Sequence, residues 1–97
     1  MKITELKDTV PMMESADYKE RFKAEYYQTK IRFKKLNHFC NRIEASHIMR
    51  ASRENEGKTP EMPKHDVPYD ILREQQRVMG EYLHLLEIRA VIEGIEL

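Results

Sequence analysis

Apolar side chains recur at alternating steps of four and three along the first half of the chain: Tyr18, Phe22, Tyr26, Thr29, Phe33, Leu36, Cys40 and Ile43. That spacing returns each residue to one face of an α-helix. Lys19, Lys23, Lys30, Lys34 and Asn41 fall outside the stripe and are expected in water. The pattern predicts a helix over 17–53, with Asp17 as N-cap and Glu20 as the reciprocal partner of a capping box. A second pattern follows: Ile71, Val78, Leu85 and Ile92 lie seven apart, Leu72, Met79 and Leu86 form the neighbouring row, and Tyr82 and Leu83 widen the face. It predicts a helix over 67–95, with Pro68 suited to the first turn. Between them "ENEGKTPEMPKHD" (54–66) is a polar connector, broken by Gly57, Pro60 and Pro63. Residues 1–16 form a lead-in in which Ile3, Leu6 and Val10 predict a short helical turn or a strand, closed by Pro11.

On a helical wheel the apolar rows of the second helix span roughly 140° at about 100° per residue. One antiparallel partner covers a narrower seam. With one other long helix in the chain, self-association is the economical source of further cover. The expected architecture is all-α: a single domain over 1–97, two long helices in an antiparallel helical hairpin that oligomerises, and a long polar connector. Gly80, on the flank of the face, is expected to allow close approach at about 1 kcal/mol relative to Ala. Gly94 is expected to loosen the helix end.

A formal net charge of zero conceals an asymmetry. Residues 17–53 hold ten Lys/Arg against four Asp/Glu, and residues 54–97 hold five against ten. The two halves attract if the chain folds back, or leave part of the basic half free for a phosphate-bearing ligand. The 35% charged residues, with three Gly and four Pro, favour long solvated helices over a compact sheet protein. No apolar run suffices to cross a bilayer, since Arg89 interrupts the best candidate, and "MKITELKDTV" carries no apolar signal region. Cys40, the single cysteine, allows no internal disulfide and suits a reducing compartment, the cytoplasm.

Catalytic patterns are missing from the sequence. His38, His47, His65 and His84 are scattered without metal-ligand spacing, no cysteine pair exists, and no Gly-rich phosphate loop or nucleophile elbow occurs. A non-enzyme without metal or cofactor is expected. Cys40 lies in the apolar stripe and reads as a small buried hydrophobe rather than a nucleophile. The positive candidates are cations and aromatics beside the apolar faces. Arg32, Lys35, Arg42, Arg77 and Arg89 could grip phosphates, while Tyr26, Tyr27 and Tyr82 could stack on or frame a base. Arg89 lies on an otherwise apolar row, so it needs a carboxylate, a carbonyl or an anionic ligand. "KIRFKKLNHFCNR" (30–42) interleaves basic and aromatic residues, but its phenylalanines fit the core period and no nucleic-acid motif accompanies them. Polymer nucleic acid is therefore a disfavoured partner, as is a membrane.

Two blocks carry a resemblance: "DYKERFKAEYYQTKIRFKKL" at the start of the first helix and "MGEYLHLLEIRAVIEGIEL" at the end of the second. Together they resemble a family of small helical-hairpin proteins of tailed phages and prophages, with members in crAss-like phages. The resemblance implies an accessory protein acting in the cytoplasm of the infected bacterial host. Helical-hairpin phage proteins of this sort include anti-defence sponges that sequester nucleotide immune second messengers, such as cyclic oligonucleotides or cyclic ADP-ribose isomers. The implied function is thus binding and sequestering of such a messenger without cleavage, by a homo-oligomer. The alternative is a helical adaptor or inhibitor that binds a host or phage protein.

Overall fold

A computed structural model of the chain describes residues 2–52 and 61–97, so the first seven residues of the connector and Arg53 lie outside the described residues. A 3₁₀ turn, Leu6–Thr9, runs into the one-turn helix α1 (Val10–Met13); α2 is Tyr18–Ala51 and α3 is Tyr69–Glu93. Among the described residues there is no strand, and the protein is all-α. At a 1.5 Å rise per residue, α2 alone is about 51 Å long, nearly the whole 56 Å of the long dimension.

α2 and α3 pack antiparallel, as cross-links along their length show. Tyr18 at the start of α2 donates to Glu93 Oε1 at the end of α3 (2.8 Å). Tyr26 donates to Glu87 Oε2 (3.0 Å). Asn37 meets Gln76, and Glu44 accepts from Arg73. The core follows the four-three stripe: Phe22, Tyr26, Leu83, Leu86, Ala90 and Ile95 form one buried cluster, with Phe33 and Tyr27 packed against it. Cys40 and Ile43 are fully buried further along α2, Cys40 as a free thiol. Tyr18, the first residue of the stripe, is largely exposed because its ring serves a hydrogen-bonded edge.

Several local expectations are corrected. The reciprocal capping box at Asp17 is half formed. Its carboxylate accepts from Lys19 N (3.0 Å), but Ser15 Oγ takes the Asp17 N–H (3.0 Å) and Glu20 turns to Lys23 instead. Pro68 sits one step before the helix as its cap, and its carbonyl accepts from Ile71 N and Leu72 N. Gly94 does not loosen α3. It takes φ +69°, the left-handed geometry that glycine adopts without strain, and the Ile95 N–H then reaches Ala90 O at 2.8 Å. This Schellman-type stop turns the buried Ile95 back onto Ala90. Nor does Gly80 serve close approach: a Cβ there would meet the Phe33 ring at 3.5 Å, an ordinary contact.

The lead-in is helical and docked on α2. Thr9 is fully buried; its hydroxyl donates to Leu6 O (2.6 Å) and accepts from Gln28 Nε2 (2.9 Å). Ala24, also buried, lies one turn before Gln28 on the same helix face. Asp8 locks the turn by accepting from Thr4 N and Glu5 N, both at 3.0 Å. Those two backbone donors hold its carboxyl below the usual carboxylate range. Residues 61–68 return along α2, where His65 meets the Phe39 ring edge-on.

Candidate functional site: a cationic groove beside the lead-in

Docking of the lead-in turns a bland stretch of α2 into the wall of a groove. Lys2, Ile3 and Thr4 form one side and Tyr27, Lys30, Ile31, Lys34 and Lys35 the other, around a volume of about 420 Å³. Tyr27 and Ile3 also line an adjoining hollow with Pro11, Met12 and Lys23. On the opposite flank of α2, Lys30 and Lys34 reach a second groove of about 320 Å³, which α3 closes with Gly80, Leu83, His84 and Glu87. The two lysines thus stand between both hollows.

Among the described residues, Lys2, Lys34 and Lys35 form neither an ion pair nor a hydrogen bond. Lys30 lies over the Tyr26 ring, 5.5 Å from its centroid. Four ammonium groups beside one tyrosine, without a carboxylate among the groove residues, make a local positive field in a neutral protein.

The eight residues singled out from the sequence separate into distinct places. Tyr27 and Lys35 come together in the cationic groove. Arg32 is exposed one turn before Lys35 on the same side of α2. Tyr26 is buried, edge-on to Tyr27 at 5.2 Å, and lines the groove against α3. Burial, with help from the Glu87 hydrogen bond, pushes its phenol up to about 12. Tyr82 donates to Glu25, and that bond raises its phenol above the ordinary value. Arg89 stacks on Phe22 (5.0 Å to the ring centroid) and donates to Glu93 Oε2 (3.1 Å) and the Tyr18 hydroxyl (2.8 Å). Arg77 is tied to Glu74 and Glu81 on the outer side of α3, and the Glu74 hydrogen bond holds its guanidinium more firmly protonated. Arg42 lies beside Glu61, Met62, Pro63 and Lys64, away from the others.

Lys2, Thr4, Lys30 and Lys34 were missed as site residues because the lead-in that encloses them has no strong pattern of its own. A quieter signal was present. Ala24, Tyr27, Gln28 and Ile31 form a second, weaker stripe on α2, and it is this stripe that the lead-in covers. Among the described residues no cluster of His, Cys, Asp or Glu could hold a metal ion, and no helix is long and apolar enough to cross a membrane.

The chain is thus a small all-α protein, a helical hairpin with a cationic groove whose lining holds no carboxylate. More narrowly, the chain belongs to the Sequestin family, whose model matches residues 16–92. The match takes in both long helices, while the lead-in wall of the groove lies before it. The family name is consistent with sequestering a molecule and specifies no target. No curated protein and no solved structure matches the chain.

Proposed function

We propose that the chain is a phage anti-defence protein that binds a nucleotide immune second messenger, a cyclic oligonucleotide or a cyclic ADP-ribose isomer. It holds the messenger without cleaving it, in the cytoplasm of the infected bacterial host. The observation that carries this reading is the groove whose Lys2, Lys34 and Lys35 have no anionic partner among the described residues. Ammonium groups bind phosphate oxygens as mobile point charges, and the Tyr27 ring offers a face for a base. A volume of about 420 Å³ suits a small-molecule ligand. Arg32 extends the positive field at the rim, and Tyr26 braces Tyr27 from below. Arg77 and Arg89 are engaged inside the chain, so their share in ligand binding is smaller than that of the lysines.

Holding is enough for inhibition when the protein exceeds both the messenger and the dissociation constant, because the free signal then falls without any chemical step. Isothermal titration of the purified chain against cyclic dinucleotides and cyclic ADP-ribose isomers tests this. Mass spectrometry of whatever denaturation releases tests it independently, and the chain has no Trp to mask nucleotide absorbance. Micromolar or tighter binding of one class, with the ligand recovered intact, is the expected result. A chain that ignores the whole panel and releases nothing overturns the reading.

A further inference from the structure

A glycine inside a long helix weakens it relative to alanine, and nothing in the packing of α3 requires Gly80. A Cβ there would lie 3.5 Å from Cε1 and 3.6 Å from Cζ of Phe33, both ordinary contact distances. What a side chain would remove is space. Gly80 and His84 line the hollow of about 320 Å³ between α2 and α3, and also the outer surface beside Arg77, Glu81 and Leu85. Gly80 is therefore a notch through which the half-buried Phe33 ring is reached from outside.

The chemistry of the hollow changes from one side to the other. Its apolar part is Phe33, Leu83 and the Tyr26 ring. On the α2 side stand Lys30 and Lys34, which also line the cationic groove on the other flank. On the α3 side Glu87 Oε2 accepts from the Tyr26 hydroxyl at 3.0 Å. Glu87 Oε1 has no hydrogen-bond or ion-pair partner among the described residues.

We propose that this hollow is a base subsite, which takes the nitrogen heterocycle of a nucleotide against Phe33 through the gap at Gly80. A ring N–H donates to Glu87 Oε1, and the phosphate sits on Lys30 and Lys34. The proposal rests on the nucleotide-holding function above and gives that ligand a second point of attachment. Its phosphates lie on the shared lysines, one ring enters the hollow, and the remainder lies along Tyr27 in the groove. The hollow is at the small end of ligand pockets, with room for a ring rather than for a whole messenger. An aromatic wall with one free acceptor suits a flat ring bearing N–H groups. An aliphatic group would gain nothing from Glu87, and an anionic one would be repelled by it.

Gly80→Leu fills the notch with a better helix former, so its thermal midpoint should not fall. Isothermal titration of the same variant against the cyclic nucleotide that the wild type binds should show affinity weaker by about 10-fold or more, since the ring loses its place on Phe33. A merely structural role for Gly80 would not move stability and affinity in opposite senses. Amide NMR of the wild type with AMP, and with inorganic pyrophosphate as the phosphate alone, locates the ring. The Gly80 N–H signal should shift with AMP and not with pyrophosphate. A Gly80→Leu chain that binds as tightly as the wild type, or a Gly80 signal that AMP leaves in place, overturns the subsite while the sequestering function stands. A wild-type chain that binds no cyclic nucleotide overturns both.

Discussion

The lysines of α2 and the arginines of α3 carry the same charge in opposite circumstances. Arg77 has Glu74 and Glu81 within one turn on its own helix, and Arg89 has Glu93. Lys30, Lys34 and Lys35 have tyrosine, isoleucine, phenylalanine, asparagine, histidine or another cation at the positions three and four away, and no carboxylate. Helical neighbours at those separations meet; more distant ones do not. The acids of α3 are therefore spent largely within α3 and on tyrosine hydroxyls. The one ion pair between the long helices among the described residues, Arg73 with Glu44, takes its cation from the acidic half. Among the described residues the opposite halves do not neutralise each other; local spacing decided which charges stayed free.

Charge reversal is the hardest test of that contrast. Lys34→Glu with Lys35→Glu is expected to weaken nucleotide binding on the order of 100-fold or more, since two charge-assisted contacts become repulsive. Arg77→Ala should leave affinity nearly unchanged in the same titration, and binding by the wild type should weaken as salt rises. Equal losses in the two variants would erase the distinction between the helices.

The adjacent leucines of α3 sharpen it from the side of stability. Leu86, 1% exposed, is expected to cost about 2–5 kcal/mol when cut to Ala. Leu85, 57% exposed, should cost a small fraction of that in the single chain. Denaturant melts of the two variants at one protein concentration separate the buried row from the exposed one.

The helix pair and the lead-in should also differ in their response to pH. The Tyr26 phenol is raised from 10.0 to about 12, so its bond to Glu87 contributes fully below pH 10 and is lost as pH rises through about 12. Tyrosinate absorbance followed alongside unfolding should show this late titration, and Tyr26→Phe should abolish it. Asp8 works in the other sense. Its carboxyl is lowered from 3.8, so its lock on the lead-in is present above that value and lost as pH falls through the lower folded one. Acid should therefore release the lead-in, and with it one wall of the groove, an effect that Asp8→Asn should reproduce at neutral pH by proteolysis near residue 9. Smallest of all, Gly80→Ala should stabilise α3 by up to about 1 kcal/mol, because the added methyl meets only ordinary contact.

Most of the fold was legible in the sequence because its signals are periodic. The stripe from Phe22 to Ile43 and the rows of the second helix repeat often enough to outweigh any single residue, and the helix ends fell within two residues of their expected places. The groove was not legible in the same way. Tyr27 and Lys35 were singled out, yet as members of a scattered set including Arg42 and Arg77, which the fold sends elsewhere. Helical spacing orders residues on one element; it does not say which cations a distant segment will enclose.

The sequence by itself determined two long helices, the face of α2 that enters the core, and the apolar excess on α3. Each of these follows from separations of three, four or seven residues along a rigid helix. Only the tertiary structure decided which of the two apolar rows of α3 α2 would cover, that Gly94 would send Ile95 back into the core, and that Thr9 would anchor the lead-in on Gln28. The same docking set Lys2 opposite Lys34 and Lys35 across one groove. These depend on contacts between segments far apart in the chain, whose partners are chosen by shape and burial rather than by local period.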